Sequence, residues 1–415
     1  MTEDCLLVKG ERKGAIYNIE SGEVFSLGDA ETLIIENCEN EKSIDEISKI
    51  LRYKASTIRK FLKKIEQYQL GFFYDKPVYI DKYRFLELHE KEALPEPIVL
   101  DTLILELHKR CNLDCIFCKN MKYTFCGCRK NSHSAFLGKE IVKRAIKEAK
   151  NFDLKSILFI GGDPFLLGKN IAEVLHFSKK FVSNVVIHSN ATNMEDYLID
   201  LVSELKIHLL IPVYTHEEVI FDRIVGIKNS FRNLLNSLNK LLNKEASVNI
   251  IIYISKYLKK YDETAEFFNK LGCRIIAKRF IYPKDTNNIR FLKLYNRQKR
   301  SFSRINKDIF LYNKKYNVCL NKKVAITCEG NIVPCHIAEH EIVGNIKTDS
   351  LNNIIRSGAL NFYWEATKEK CEICNKCEYR FLCVDCLINE HTIENRKLTK
   401  NKYCRYNPLI GKWEI

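Results

Sequence analysis

No run of about 18 or more apolar residues occurs in the 415-residue chain, so a helix long enough to cross a bilayer is not expected. The amino terminus, Met1-Thr-Glu-Asp-Cys-Leu-Leu-Val-Lys9, has no basic stretch followed by an apolar one. No export signal is therefore read there, and a soluble, cytoplasmic protein is expected. Acidic residues are in deficit: 52 Asp and Glu against 67 Lys and Arg leave a formal charge of +15. Such a surplus favours an acidic partner, either nucleic acid or an acidic peptide, although a lysine-rich codon bias would produce it too. Cysteine is abundant, with 17 residues. Without an export signal these argue against a disulfide framework and for metal or redox work in a reducing, oxygen-poor compartment.

The length allows two or three domains. Residues 1–90 open with β-like stretches at Cys5–Lys9, Gly14–Asn18 and Glu23–Leu27, separated by Lys9-Gly10 and Ser21-Gly22 turns. Two helical segments follow. One opens at a Ser43/Glu46 capping box, and the other, from Ser56, sets Ile58, Phe61, Leu62, Ile65 and Tyr68 against Arg59, Lys60, Lys63 and Lys64. Phe72-Phe73-Tyr74 reads as a returning strand, which together with the rest predicts a small winged-helix unit. Leu88–Pro97, with two prolines and a charge run, reads as a linker. From 98 to 300, apolar strands at Leu103–Leu107, Ser156–Ile160, Asn184–His188, Ile207–Tyr214, Val248–Ile254 and Arg274–Ala277 alternate with helical patterns. This α/β pattern predicts a parallel, partial (β/α)6 barrel with its active residues at the C-terminal strand ends.

Directly after the first of these strands stands Cys111-Asn-Leu-Asp-Cys115-Ile-Phe-Cys118. Three thiols can hold three irons of a cubane and leave the fourth free for a ligand. A structural zinc site would want four N/S ligands in paired halves. The spacing, with Phe117 before the last Cys, resembles the radical S-adenosylmethionine superfamily. Membership implies that the open iron chelates S-adenosylmethionine, whose reduction releases a hydrogen-abstracting radical. Gly161-Gly162-Asp163-Pro164, after the second strand, is similar to the family's Gly-Gly-Glu-Pro motif; Asp163 would then hold the cofactor's ammonium on a shorter arm, and Phe117, Gly161 and Gly162 would line the cofactor. By the same resemblance Ser189 and Asn190, in His188-Ser-Asn-Ala-Thr192, would reach its ribose and carboxylate. Phe221–Gly226 also looks like a recurrent stretch of peptide-modifying members, with Arg223 meeting cofactor or substrate charge or simply lying on the surface. Cys126 and Cys128 read as bystanders or redox-active thiols.

Residues 301–415 carry Cys319-x10-Gly330-x4-Cys335, then Cys371-x2-Cys374-x2-Cys377-x5-Cys383-x2-Cys386, then Cys404. Taken alone, the paired Cys-x2-Cys units would also suit zinc. The order resembles the SPASM domain of radical maturases, including those encoded beside ATP-grasp ligases. By that resemblance two auxiliary [4Fe–4S] clusters are expected, one on Cys374, Cys377, Cys383 and Cys404, the other on Cys319, Cys335 and Cys386. The thiol that the family has shortly before Cys319 is absent, since Asn313 and its neighbours are not cysteines. The second cluster then has an open iron, or is completed by Cys371 or Cys328. His336, directly after Cys335, stands where anaerobic sulfatase maturases carry an aspartate proton acceptor, and is the candidate base.

These features predict a cytoplasmic radical S-adenosylmethionine/SPASM peptide maturase. It would take a ribosomally synthesised precursor whose leader docks on the N-terminal unit as an added strand, and would draw electrons from a low-potential donor such as flavodoxin or ferredoxin. A sulfatase-maturase-like enzyme, a radical modifier of RNA and a zinc-bearing DNA-binding regulator are the rivals. No membrane partner is expected, and nucleic acid is the less favoured partner.

Overall fold

The computed structural model describes residues 1–76, 78, 80, 98–120, 135–255, 261–282, 288–300 and 304–414; the expected linker and Cys126 and Cys128 lie outside them. The chain forms two compact units.

The first unit comprises Met1–Glu96, Asn287–Cys319 and Glu365–Ile415. Strands β1 (Cys5–Lys9), β2 (Gly14–Asn18) and β3 (Val24–Leu27) form an antiparallel meander in that order. Helices α1 (Asp29–Glu39), α2 (Ile44–Leu51) and α3 (Ala55–Gln67) follow. Helix α2 opens on the expected capping box: Ser43 Oγ accepts from the Glu46 amide, and the Glu46 carboxylate accepts from the Ser43 amide at 2.8 Å. On α3, Ile58 and Ile65 are buried while Arg59, Lys60, Lys63 and Lys64 face solvent. Phe72–Tyr74 belong to no strand, and their three rings are largely exposed.

Alternation along the meander decides what each face meets. Leu6, Val8, Ala15, Tyr17 and Ile19 share a core with Ile305, Phe310, Leu311, Phe381 and Leu382 of the cysteine-rich segment. Cys5, Ile16 and Leu27 pack on Ile35, Ile65 and Leu70 instead. Tyr17 is fully buried, and its hydroxyl donates to the Glu378 carbonyl at 2.9 Å. The three strands are thus covered on both faces, by their own helices and by the cysteine-rich segment.

The second unit comprises Pro97–Thr286 and Leu320–Trp364. Its elements are β4 (Thr102–Glu106), α4 (Ile116–Asn120), α5 (Lys139–Lys150), β5 (Ser156–Ile160), α6 (Asn170–Lys179), β6 (Asn184–His188), α7 (Asp196–Glu204) and β7 (His208–Val213). They continue with α8 (Glu218–Val225), α9 (Ser230–Asn243), β8 (Val248–Ile254), α10 (Tyr261–Lys270), β9 (Arg274–Phe280), β10 (Lys323–Ile326), β11 (Asn331–Val333) and β12 (Gly344–Asn345). Strands β4 to β9 lie side by side in sequence order, all parallel, which is the predicted six-unit arrangement. An extension not expected from the sequence adds β10 parallel to β4, then β11 and β12 antiparallel. Leu103, Leu105, Ile157, Phe159, Val185 and Ile187 enter the large core shared with the helices. Ile104, Ile160, Ala325 and Val333 form a separate cluster on the opposite face. By the same alternation Glu106 and His188 belong to that second face.

Candidate functional site

The three-cysteine loop leaves β4 at its C-terminal end and runs into α4, so Cys111 and Cys115 stand on loop backbone and Cys118 in the first helical turn. Cys115 is buried, while Cys111 and Cys118 are half-buried. Two donors point at Cys111 Sγ: the Leu113 amide at 3.4 Å and Asn190 Nδ2 at 3.6 Å. Such contacts suit a thiolate, whose lone pairs need donors when water is excluded. Asn190 Nδ2 also donates to Asn112 Oδ1 at 2.8 Å, and Asn112 Nδ2 donates to Thr192 Oγ1 at 3.1 Å. The end of β6 is thereby tied to the cysteine loop.

The Gly-Gly-Asp turn after β5 is braided to the same loop. A Cβ at Gly161 would lie 2.2 Å from the His108 carbonyl oxygen, and one at Gly162 would lie 1.7 Å from that of Arg110. Both glycines have positive φ, +120° and +51°, so any side chain is barred by clash and by backbone conformation. The Asp163 amide donates to the Arg110 carbonyl at 2.9 Å. Asp163 is buried, and its carboxylate accepts from Ser189 Oγ at 2.9 Å, the Asn190 amide at 3.0 Å and the Phe165 amide at 3.1 Å. Three donors leave part of the carboxylate's capacity of roughly four unmet. Burial raises this carboxyl to about 6, against the pull of Ser189, Phe165 and Asn190. Phe117 packs on Tyr214 with ring centroids 5.4 Å apart, and Tyr214 in turn meets Tyr253 and Phe221. Arg223 is exposed. Its neighbour Asp222 accepts from the Asn229 and Phe231 amides, securing the start of α9.

His188 was not singled out from the sequence. It is buried, and neither ring nitrogen has a hydrogen-bond partner among the described residues. Burial, helped by the charge of nearby His336, lowers it to about 4, so it is a neutral imidazole at neutral pH. The sequence signal was its place as a polar last residue of an apolar strand. His336 Nδ1 lies 3.7 Å from Cys335 Sγ. Cys328 is fully buried against Glu106 and Glu329, and its amide donates to the Glu106 carboxylate at 3.0 Å. Burial and the Glu106 charge push its thiol well up.

Cys374, Cys377, Cys383 and Cys404 all lie in the first unit, and Cys377 feels the charges of Cys383 and Cys404. Burial, and then the charges of Glu378, Cys383 and Cys404, raise the Cys377 thiol. A hydrogen bond from Cys371 lowers Cys374 to about 6. Lys368 stays protonated despite its burial because Asp385, Cys383 and Cys374 favour the cation. Clustered soft donors with a cation beside them fit an anionic iron-sulfur cluster. Cys319 and Cys386 belong to this first unit and Cys335 to the second.

A model of the Radical SAM superfamily matches residues 105–268, and a model of the SPASM iron-sulfur cluster-binding domain matches residues 319–378. Among curated proteins the chain is similar to the "Probable GTP 3′,8-cyclase" of Methanosarcina mazei, 30% identical over 93 residues, covering 22% of this chain and 27% of the cyclase. The chain therefore spans about a quarter of that relative's length. Native anSMEcpe with bound AdoMet and Kp18Cys peptide shares the fold, with a TM-score of 0.56, 14% identity and coverage of 73% of this chain and 93% of that one. Streptococcus suis SuiB bound to S-adenosylmethionine does so over 94% of this chain and 96% of its own, with a TM-score of 0.53 and 16% identity. The cysteine loop with its supporting turn falls on the segment that the radical SAM model matches, and Cys319, Cys335, Cys371, Cys374 and Cys377 fall on the segment that the SPASM model matches, so the chain carries a radical SAM domain and a SPASM iron-sulfur domain.

Proposed function

We propose that this radical SAM enzyme modifies a ribosomally synthesised precursor peptide by hydrogen abstraction from an unactivated carbon followed by formation of a cross-link, thioether or other. When bound, S-adenosylmethionine on the cluster of Cys111, Cys115 and Cys118 supplies the abstracting radical. Asp163 accepts from the cofactor's ammonium, with its carboxylate aimed by Ser189 Oγ and the Asn190 amide. Asn190 keeps a donor on Cys111 Sγ, so the same side chain orients the loop and screens the thiolate. Gly161 and Gly162 let the turn approach the loop closely, and the Phe117–Tyr214 pair walls the site with apolar surface. His336, with neutral His188 nearby, is the candidate proton acceptor. Cys374, Cys377, Cys383 and Cys404 would hold one auxiliary cluster and Cys319, Cys335 and Cys386 another; such clusters would supply an acceptor for the released electron, and a flavodoxin or ferredoxin would serve as the external donor.

The observation that carries the peptide reading is the edge of the N-terminal sheet. Strand β3 is an edge strand in the order β1-β2-β3, and Phe25 on it meets exposed Tyr68 of the α3 C-terminus at 5.6 Å. An edge strand beside aromatic surface suits an extended peptide added as a fourth strand. The supporting likeness is to anSMEcpe, whose structure holds a Kp18Cys peptide. The test uses short peptides encoded beside this gene, labelled for fluorescence anisotropy against full-length protein. Binding by one of them, weakened at least several-fold by Tyr68→Ala, is expected. If none binds while RNA stimulates turnover, the substrate is nucleic acid.

A further inference from the structure

The parallel neighbours β4 and β10 end together, and three side chains that the proposed reaction does not use meet there. Glu106 is the last residue of β4, and Cys328 and Glu329 lie in the turn between β10 and β11. One carboxylate oxygen from each acid and the Cys328 sulfur all lie within 4.8 Å of one another. That span is about twice a zinc-to-ligand bond of about 2.0–2.3 Å, so a single ion between them would touch all three. Glu106 is 2% exposed and Cys328 is fully buried. The Cys328 amide donates to Glu106 Oε2 at 3.0 Å, whereas Oε1 is buried and has no hydrogen-bond partner among the described residues. A buried acceptor left without a donor is costly, and a bound ion would supply the missing partner. Charge points the same way. Lys109 Nζ stands 2.5 Å from Glu329 and 3.9 Å from Glu339, so one ammonium serves those two acids. With Glu106 ionised as well, two negative charges remain, which a divalent cation would offset. The Lys109 contact does not bar an ion, because a carboxylate offers two oxygens.

We propose that Glu106, Cys328 and Glu329 form a mononuclear site for a divalent metal ion of the zinc class, separate from the iron-sulfur clusters, which fastens the end of β4 to the turn after β10. Two carboxylates and a thiol make a mixed hard and soft donor set. Magnesium and calcium take oxygen alone, and a cubane needs more than one thiolate, so zinc suits the set best. Three protein donors leave zinc's fourth position to water. Binding releases the Cys328 thiol proton to solvent, and the ion then carries the thiolate. The ion would act across the long-range pairing of β4 with β10, beside the strand from which the cysteine loop leaves. Cys328 is thereby assigned to this site and not to an auxiliary cluster. The inference does not depend on what the enzyme modifies.

The test is made on full-length protein reconstituted anaerobically with iron and sulfide, then exposed to zinc chloride and desalted. Zinc, iron and labile sulfide are counted in the parent, Glu106→Gln and Cys328→Ser, and the zinc shell of the parent is read by X-ray absorption. The parent should retain about one zinc per chain, with a single sulfur at about 2.3 Å among lighter ligands. Both variants should lose that zinc while keeping the parent's iron, which guards against a variant that merely misfolds. Chelation of zinc should lower the melting temperature of the parent and leave that of Glu106→Gln unmoved. A parent that retains no zinc would overturn the proposal, and so would equal retention in the parent and both variants. A shell of several sulfurs would place the ion in an unfilled cysteine site, which also overturns it. Iron lost from Cys328→Ser but kept by Glu106→Gln would make Cys328 a cluster ligand, with the same consequence.

Discussion

Asp163 gives the proposed site a measurable pH signature. Its carboxyl is raised by burial to about 6, whereas the role proposed for it, accepting from an ammonium, needs the ionised form. The apparent dissociation constant for S-adenosylmethionine should scale as one plus the ratio of protonated to ionised carboxyl. With a pKa of about 6, binding is weaker by about fourfold at pH 5.5 and almost unaffected at pH 7.5. For the fold the sign is opposite. A carboxyl whose folded value is raised contributes stability that is fully present below the unfolded value of 3.8 and is lost as pH rises through about 6, so acid does not weaken the fold at this position. Loss of affinity between pH 7.5 and 5.5 therefore reports ligand recognition and not unfolding. Equilibrium dialysis of S-adenosylmethionine against the reconstituted protein would measure it, with iron content checked at each pH. Asp163→Asn should bind more weakly at every pH and lose the dependence. A flat wild-type profile, or an unchanged profile in Asp163→Asn, would refute the ammonium role.

Gly162→Ala must place a Cβ 1.7 Å from the Arg110 carbonyl at φ +51°. The left-handed backbone alone costs about 1–2 kcal/mol, and the clash adds more, so the variant should lose iron from the cysteine loop, seen by iron analysis and a lower melting temperature. Deleting residues 1–90 removes one wall of the core around Ile305, Phe310, Leu311, Phe381 and Leu382. At about 1.5–3 kcal/mol for each large side chain uncovered, the loss is of order 10 kcal/mol. The truncated protein should therefore aggregate or lose auxiliary iron, as size-exclusion chromatography and iron counting would show; a monodisperse product with full iron content would contradict this packing.

What the sequence disclosed was local. Strands β5, β6 and β8 run over the residues their apolar stretches marked, and the Ser43/Glu46 capping box forms. Helix α1 escaped notice because Gly28 offers no capping side chain and Glu31 alone closes the turn. Strand β9 runs to Phe280, beyond its expected end at Ala277, because Lys278 and Arg279 break the apolar pattern while still pairing with β8. Strands β10 and β11 are four and three residues long; β10 gains its place by pairing across about 200 residues with β4, and β11 by pairing with β10, a long-range choice for β10 that local periodicity does not carry. At the site, Asp163, Ser189, Asn190 and Cys111 were each named from motif and are joined by hydrogen bonds. Buried His188 was missed because an unpartnered imidazole becomes apparent only once its surroundings are assembled. Phe72–Tyr74 misled because an aromatic run favours a strand intrinsically, yet no neighbouring strand among the described residues pairs with it.

The central claim is that Cys111, Cys115 and Cys118 hold a cluster of their own beside those of the C-terminal thiols. Iron and labile sulfide should be measured on anaerobically reconstituted wild type and on Cys111→Ala/Cys115→Ala/Cys118→Ala. The account predicts about twelve irons per chain in the first and about four fewer in the second. A triple variant that loses no iron would contradict it.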